Sequence, residues 1–249
     1  MNLGGVSIFE CLSFSETGHY HRMHGLPNED YISIRRNDSL AVMVICDGAG
    51  GLGTGKVAAQ LTAKQIAEEL HSHFKEFYFS DSGSAKRRIE QLVHICLNKY
   101  AATANIVPSD LACTILTVAL DREGRCVCFH LGDGIIFRKK KQNTEWDVVS
   151  SPRNGLIQNT TYLTMNCDIY KELQYYRWKD DELQSILMLT DGASEHLLKR
   201  SGQRGWEFSD VCETTIANMK KHLDSVEPQD DYSGGMISRS DGQLSVNNL

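Results

Sequence analysis

The run Leu40–Cys46 (LAVMVIC) is apolar at every position and ends on Asp47-Gly48. Seven such residues suit a buried strand and fall far short of the ~18 of a membrane span. The ending recurs: CVCFHL stops one glycine before Asp133, and SILMLT runs directly into Asp191. Asp30 precedes the strand-like YISI, and Asp230-Asp231 precede a short strand signal. Aspartate is disfavoured inside strands and common just beyond them, and Asp-Gly is an ordinary turn pair. Each pair alone therefore reads as a turn. Together they make a different statement, because neighbouring strands that end at one edge would bring four or five carboxylates together. Such a cluster repels itself unless cations neutralise it, and oxygen-only ligands select Mg²⁺ or Mn²⁺.

Around these ends the hydrophobic period changes three times. Tyr31–Arg35 and Leu40–Cys46 read as strands joined by a turn at 36–39. Ala59, Ala63, Ile66, Leu70 and Phe74, then Ile89, Leu92, Cys96, Tyr100 and Ala104, mark two helices, with a loop expected at Phe79–Ala85. Ala112–Leu120, Arg125–Leu131, Ile135–Lys139, Trp146–Val149 and Ser185–Thr190 read as closely spaced strands. Phe208, Val211, Thr215, Met219 and His222 suggest a third helix. Short turns and segregated helices predict an α+β chain with antiparallel sheets, here taken as a single domain over residues 1–249.

With 26 basic and 32 acidic residues the formal charge is −6, so no overall field draws in nucleic acid or anionic membrane. The N-terminus shows no basic region followed by an apolar one. The eight cysteines include no CxxC, and the pair Cys126-x-Cys128 does not make a zinc site. These features predict a reduced, cytoplasmic protein.

The loop after Asp47 also fits two nucleotide-binding patterns. Gly48-x-Gly50-x-x-Gly53 matches a dinucleotide fingerprint, but Glu68 and Glu69, at the right distance, sit within a helix pattern. Gly50-x-x-x-x-Gly55-Lys56 lacks the Ser or Thr of a P-loop, having Val57 instead.

In chain order, Asn28-Glu29-Asp30, Asp47-Gly48-Ala49-Gly50-Gly51, Ala112–Leu116, Leu131-Gly132-Asp133-Gly134, Leu189-Thr190-Asp191-Gly192 and Asp230-Asp231-Tyr232-Ser233 form a series. It resembles the motif series of the PP2C (PPM) metal-dependent Ser/Thr protein phosphatases. Gly18-His19 and Asn159-x-Thr161-x-Leu163-Thr164 resemble segments of the bacterial-type branch. The resemblance implies a four-layer αββα sandwich, two antiparallel sheets flanked by helix pairs. It implies two Mn²⁺ or Mg²⁺ ions, with a third in many bacterial members. Asp47 would bridge two metals, helped by the Gly48 carbonyl. Asp191 and Asp230 would hold the second ion, and Asp133 with Asp191 the third. Asp47, Asp191 and Asp230 would thus form the catalytic set, with a bridging hydroxide attacking phosphoserine or phosphothreonine and no phosphoenzyme formed. Glu29, Asp30 and Asp231 would act from behind the ligands, through bound waters.

Two departures stand out. Ala49 replaces a histidine that many eukaryotic members use to protonate the leaving group. Gly234-Gly235 predicts a short or bulged closing strand, which leaves open whether Asp230 or Asp231 is the ligand. Both motivate an alternative, a pseudophosphatase that binds phosphoproteins without turnover. His19, His21, Arg22 and His24 cluster near the N-terminus; His19 or Arg22 would contact the substrate phosphate, and a histidine-only zinc site lacks a closing ligand. Arg138–Lys141 reads as a solvated strand end, or else a patch for an acidic partner. Asn143–Arg177 occupies the family's variable flap, whose tyrosines, with Trp178, would recognise a protein substrate or pack. The expected partner is a phosphorylated protein, with no nucleic acid and no membrane, and the chain is expected to be a monomer.

Overall fold

The computed structural model describes residues 8–49, 53–153, 161–201, 205–209 and 215–239. The chain begins with β1 (Phe9–Glu16), a short α1 (His19–His24), β2 (Tyr31–Arg36), β3 (Leu40–Cys46) and the two-residue β4 (Gly48–Ala49). Two long helices follow, α2 (Thr54–Phe79) and α3 (Ser82–Ala104), then β5 (Ala112–Cys113), β6 (Ile115–Asp121), β7 (Arg125–Leu131), β8 (Ile135–Lys140) and β9 (Asp147–Ser150). The last part holds α4 (Ile169–Glu172), β10 (Gln174–Lys179), β11 (Leu183–Leu189), α5 (Asp191–Leu197), the hairpin β12 (Leu198–Ser201) and β13 (Gly205–Phe208), α6 (Ile216–Val226) and β14 (Tyr232–Arg239).

Two five-stranded sheets result, ordered β1-β14-β11-β8-β9 and β10-β7-β6-β3-β2, and every pairing in them is antiparallel. The apolar clusters show the layering. On β3, Leu40, Val42, Val44 and Cys46 pack with α2 and α3, while Ala41, Met43 and Ile45 face the other sheet. On β11, Ile186 and Met188 face the first sheet's partner, while Leu187 and Leu189 pack toward α5 and α6. β3 and β11 are thus buried on both faces, which is why their sequences are apolar runs rather than alternations. The layers are helices, sheet, sheet, helices, an α+β four-layer sandwich. Among the described residues no helix is long and apolar enough to cross a membrane.

Several sequence expectations need correction. The loop expected at Phe79–Ala85 shrinks to Ser80–Asp81, because Asp81 caps α3 by accepting from the Ser84 amide at 2.9 Å. The run Ala112–Leu120 is two strands, interrupted at Thr114. The third helix begins at Ile216, capped by Thr215, whereas Phe208 lies in β13 and Val211 falls outside the described residues. In the two five-stranded sheets, β1 and β10 carry no signal singled out in the sequence, nor do the short β4, β12 and β13 outside them. β10 takes the end of the supposed flap into a sheet: Tyr162 and Tyr175 pack on the helix-side core, and Tyr176 and Trp178 on the inter-sheet core. In the charge run, Lys140 pairs with Asp180 at 3.1 Å and Arg138 lies 3.7 Å from Asp147.

The closing strand is neither short nor bulged. β14 has eight residues and keeps continuous register with β1 and β11. The glycines are there for space: a Cβ on Gly234 would lie 2.6 Å from the Phe14 ring, and one on Gly235 2.3 Å from the Met43 sulfur. The packing won from bare backbone outweighs the weak strand propensity of glycine.

Candidate metal centre

The ends of β3, β7 and β11 meet at one end of the sandwich. Asp47 follows β3, Asp133 follows β7 after Gly132, and Asp191 opens α5 just beyond β11. One carboxylate oxygen from each lies within 4.8 Å of the other two, and all three residues are half-buried. The backbone holds them firmly. The Asp47 amide donates to Thr114 Oγ1 at 2.9 Å, and the Thr114 amide donates to the Asp47 carbonyl at 2.8 Å. The interruption between β5 and β6 is therefore what frees Thr114 to grip Asp47. The Thr161 hydroxyl donates to Asp133 Oδ2. Gly192 N donates to Asp191 Oδ1 at 2.8 Å. Gly48 is buried in β4, which pairs with β5.

The electrostatics are those of crowded anions. Burial, then the charges of Asp30, Asp191, Asp230 and Asp133, holds the Asp47 carboxyl well above the usual range. Burial, then Asp133 and Asp230, pushes Asp191 up to about 6. Burial also raises Asp133, against the pull of the Thr161 hydroxyl. Asp30, 5% exposed, is pushed up to about 8, mostly by burial and further by Asp231, Asp191 and Asp230. Its Oδ2 accepts from Thr190 Oγ1 at 3.3 Å, while its Oδ1 is buried without a hydrogen-bond partner. Glu29 is buried and likewise raised, chiefly by burial. A group of carboxylates that resists ionising, with one oxygen lacking any donor, fits a hard divalent cation held by oxygen ligands.

The two aspartates of the closing motif separate cleanly. Asp231 is buried and accepts from Gly18 N at 2.7 Å, Glu29 N at 2.6 Å and His21 Nδ1 at 2.9 Å. It ties both ends of the segment 18–29 to the start of β14. Asp230 is exposed, and its Oδ1 accepts the Asp231 amide at 2.8 Å. It stands outside the tight group of three, yet its charge bears on Asp47, Asp133 and Asp191. Gly18 and Gly192 press on this dipeptide: a Cβ on either would come within 2.2 Å of the backbone at 230–231.

This division yields a prediction. Asp231→Ala leaves two buried amides without an acceptor and should cost about 2–5 kcal/mol in denaturant unfolding. Asp230→Ala should change stability by about 0.5 kcal/mol or less, as at an ordinary surface position. Equal destabilisation by the two would contradict the assignment.

Other sequence candidates lie apart from the three aspartates. His19 is half-buried, and its amide donates to the Pro228 carbonyl at 2.8 Å. Arg22 is exposed, donates to the Thr17 carbonyl, and its charge acts on Asp224. No described contact joins either side chain to the cluster. Thr114, Thr190 and His21 hold the site together, and the sequence reading assigned them no role. The two threonines sit inside motifs read for their acidic or small residues, and His21 shows its partner only across the fold.

Comparison with known proteins agrees with this arrangement. The family model for protein phosphatase 2C matches residues 17–230. Among solved structures, the catalytic domain of the serine threonine protein phosphatase PstP in complex with two manganese ions is 15% identical, with a TM-score of 0.62 over 94% of this chain and 99% of that one. The serine/threonine phosphatase Stp1 from Staphylococcus aureus is 16% identical, with a TM-score of 0.61 over 96% and 98%. RsbX in complex with magnesium is 12% identical, with a TM-score of 0.58 over 93% and 96%. A search of curated proteins finds no match. These structures share the fold, and the match over residues 17–230 places the chain in the protein phosphatase 2C family.

Proposed function

We propose that this chain, a Ser/Thr protein phosphatase by family, hydrolyses phosphoserine and phosphothreonine in proteins at the Asp47–Asp133–Asp191 cluster, with Mn²⁺ or Mg²⁺ as cofactor. The carrying observation is the convergence of three strand-end carboxylates within 4.8 Å. Asp47, Asp133 and Asp191 would hold the cations, with Asp230 completing the set from the exposed side and the Gly48 carbonyl close to Asp47. The bound cations supply Lewis acidity, which activates water and offsets phosphoryl charge.

The protein's part is positioning. Thr114 fixes Asp47, Thr161 orients Asp133, and Thr190 joins β11 to β14 through Ser233 N at 2.9 Å. Glu29 and Asp30 back the cluster, and Asp231 anchors the segment that carries them. His19 and Arg22 border that segment and are proposed to meet the phosphoprotein. Cys46 and Cys113, beside Asp47 in the chain and the sheet, are both fully buried. Neither can reach a phosphoryl group, which favours direct attack by water. Ala49 has no proton to give, so the leaving oxygen would take its proton from a water at the cations or from another group.

The alternative, a binding module without turnover, rests on Ala49 alone now that β14 is regular. A phosphothreonine peptide assayed with EDTA, Mg²⁺ or Mn²⁺ decides. Hydrolysis should vanish in EDTA and return with either metal. Tight binding of the peptide in saturating Mn²⁺ without phosphate release would overturn the proposal in favour of the binding module.

A further inference from the structure

α1 is a helix without a core. None of its residues is buried, and residues 22–27 are all exposed. Yet it presents large apolar side chains to solvent: Tyr20 is 55% exposed, Met23 69% and Leu26, just past the helix, 38%. Positions three apart on a helix are neighbours, so Tyr20 and Met23 share a face. The Tyr20 ring also lies against His24, with centroids 4.3 Å apart, which broadens that face. A single exposed apolar residue is ordinary, whereas a group of them marks an interaction site.

Burial does not account for this surface, because its side chains are in water. What the fold supplies is rigidity. The helix closes on a Schellman turn: Gly25 takes a φ of 66°, its amide donates to the Arg22 carbonyl at 3.3 Å, and the Leu26 amide donates to the His21 carbonyl at 2.9 Å. At its start the His19 amide donates to the Pro228 carbonyl at 2.8 Å and the Tyr20 amide to the Gln229 carbonyl at 3.0 Å. Asp231 holds Gly18, His21 and Glu29 besides. The exposed segment is thus fixed along its length.

Its place decides what it meets. Tyr20 is bonded to the residue before Asp230, and a Cβ on Gly18 would lie 2.2 Å from the Asp230 backbone. At the far end a Cβ on Gly53 would meet Pro27 at 3.8 Å, and one on Gly48 would lie 2.8 Å from the Glu29 carbonyl. Residues 18–29 therefore form a rim that runs from Asp230 to the loop after Asp47, with α1 on its outer side. A protein whose phosphorylated side chain reaches the three aspartates lays its own chain against this rim. Residues 18–28 include no acid, so nothing on the segment itself repels a phosphorylated chain.

We infer that the exposed face of α1 is where the substrate protein docks, and that it selects phosphoproteins with a large apolar side chain near the phosphorylated residue. The inference rests on the phosphatase reading and names its substrate class. Continuity with the metal cluster identifies the occupant, since α1 begins against Asp230. Tyr20 to Leu26 spans about 9 Å at ~1.5 Å per residue, a distance that an extended peptide covers in about three residues. The selected side chain therefore falls about two or three positions from the phosphorylated one.

The test is hydrolysis by the full chain in Mn²⁺ of three substrates. Two are phosphothreonine peptides, with leucine or with serine at the second and third positions on both sides; the third is p-nitrophenyl phosphate, which has no flanking residues. The leucine peptide should exceed the serine peptide in kcat/KM by about tenfold or more, the scale of one aliphatic side chain removed from water, and the difference should lie in KM. Tyr20→Ser/Met23→Ser should abolish that preference and leave the serine peptide and p-nitrophenyl phosphate as in the native chain. Equal loss on all three substrates would make α1 a structural part only and overturn the inference. So would a preference that survives the double variant, or native hydrolysis of p-nitrophenyl phosphate with no preference between the peptides. Hydrolysis of none of the three would sink the phosphatase reading itself and the inference with it. A sedimentation coefficient that rises with concentration in the native chain but not in the variant would assign the face to a second copy, which also overturns it.

Discussion

Asparagine at Asp47 or Asp191 should lower kcat on a phosphothreonine peptide by about 10³-fold or more while the fold persists. The size follows from losing several kcal/mol of cation-borne charge stabilisation, each ~1.4 kcal/mol being tenfold in rate. The fold persists because the change is isosteric and spares the backbone grip: the Asp47 amide still meets Thr114, and the Asp191 side-chain oxygen can still accept from Gly192 N. Circular dichroism and kcat measured on the same preparations check both halves. Metal-independent hydrolysis by Asp191→Asn at the native rate would sink the assignment of the cluster as the reaction centre.

The ligand candidates in those variants could be read from the sequence because the signal is local. An apolar run that stops on Asp-Gly states both that the strand is buried and that a carboxylate lies at its end. β3, β7 and β11 repeat that statement, and the sandwich brings their ends together. What could not be read depends on partners distant in the chain. Asp231 and its donors Gly18, His21 and Glu29 are about 200 residues apart in sequence, so nothing near Asp231 marks it as a clamp and Asp230 as the exposed neighbour. Gly234-Gly235 looked like weakness because the ring of Phe14 and the sulfur of Met43, which need the space, lie elsewhere in the chain. β1 and β10 were missed for a related reason: each is an edge strand, Phe9–Glu16 beside β14 and Gln174–Lys179 beside β7, with many exposed or half-exposed residues and no long apolar run. α2 is also broken at His73, whose φ of −126° and ψ of 26° are not helical, with no proline or glycine to announce it.

Without metal, the aspartates of the cluster should take stability from the protein as the pH rises from about 4 to about 8, working against His130, which burial holds down to about 3 and which favours folding as pH rises toward 6.5. Unfolded aspartates ionise near 3.8, whereas folding holds Asp191 to about 6, Asp30 to about 8 and Asp47 well above its ordinary range. Through that window the folded state keeps protons that the unfolded state has released. The share of stability that these aspartates control therefore falls with pH until the folded groups ionise too. Divalent cations reverse the trend by replacing those protons. At pH 8, Mg²⁺ at a hundred times its dissociation constant should add about 2.7 kcal/mol by mass action. Asp47→Asn separates repulsion from binding: it removes one charge from the crowd, so in EDTA at pH 8 it should unfold at higher denaturant than the native chain. The same variant should gain less from Mg²⁺, because it has lost a ligand. Urea unfolding at pH 5, 6.5 and 8, with EDTA or Mg²⁺, measures all of this. An Asp47→Asn protein weaker than native in EDTA at pH 8 and equally helped by Mg²⁺ would mean that the three strand ends are ordinary turns. Their convergence would then be geometry without a cation to bind.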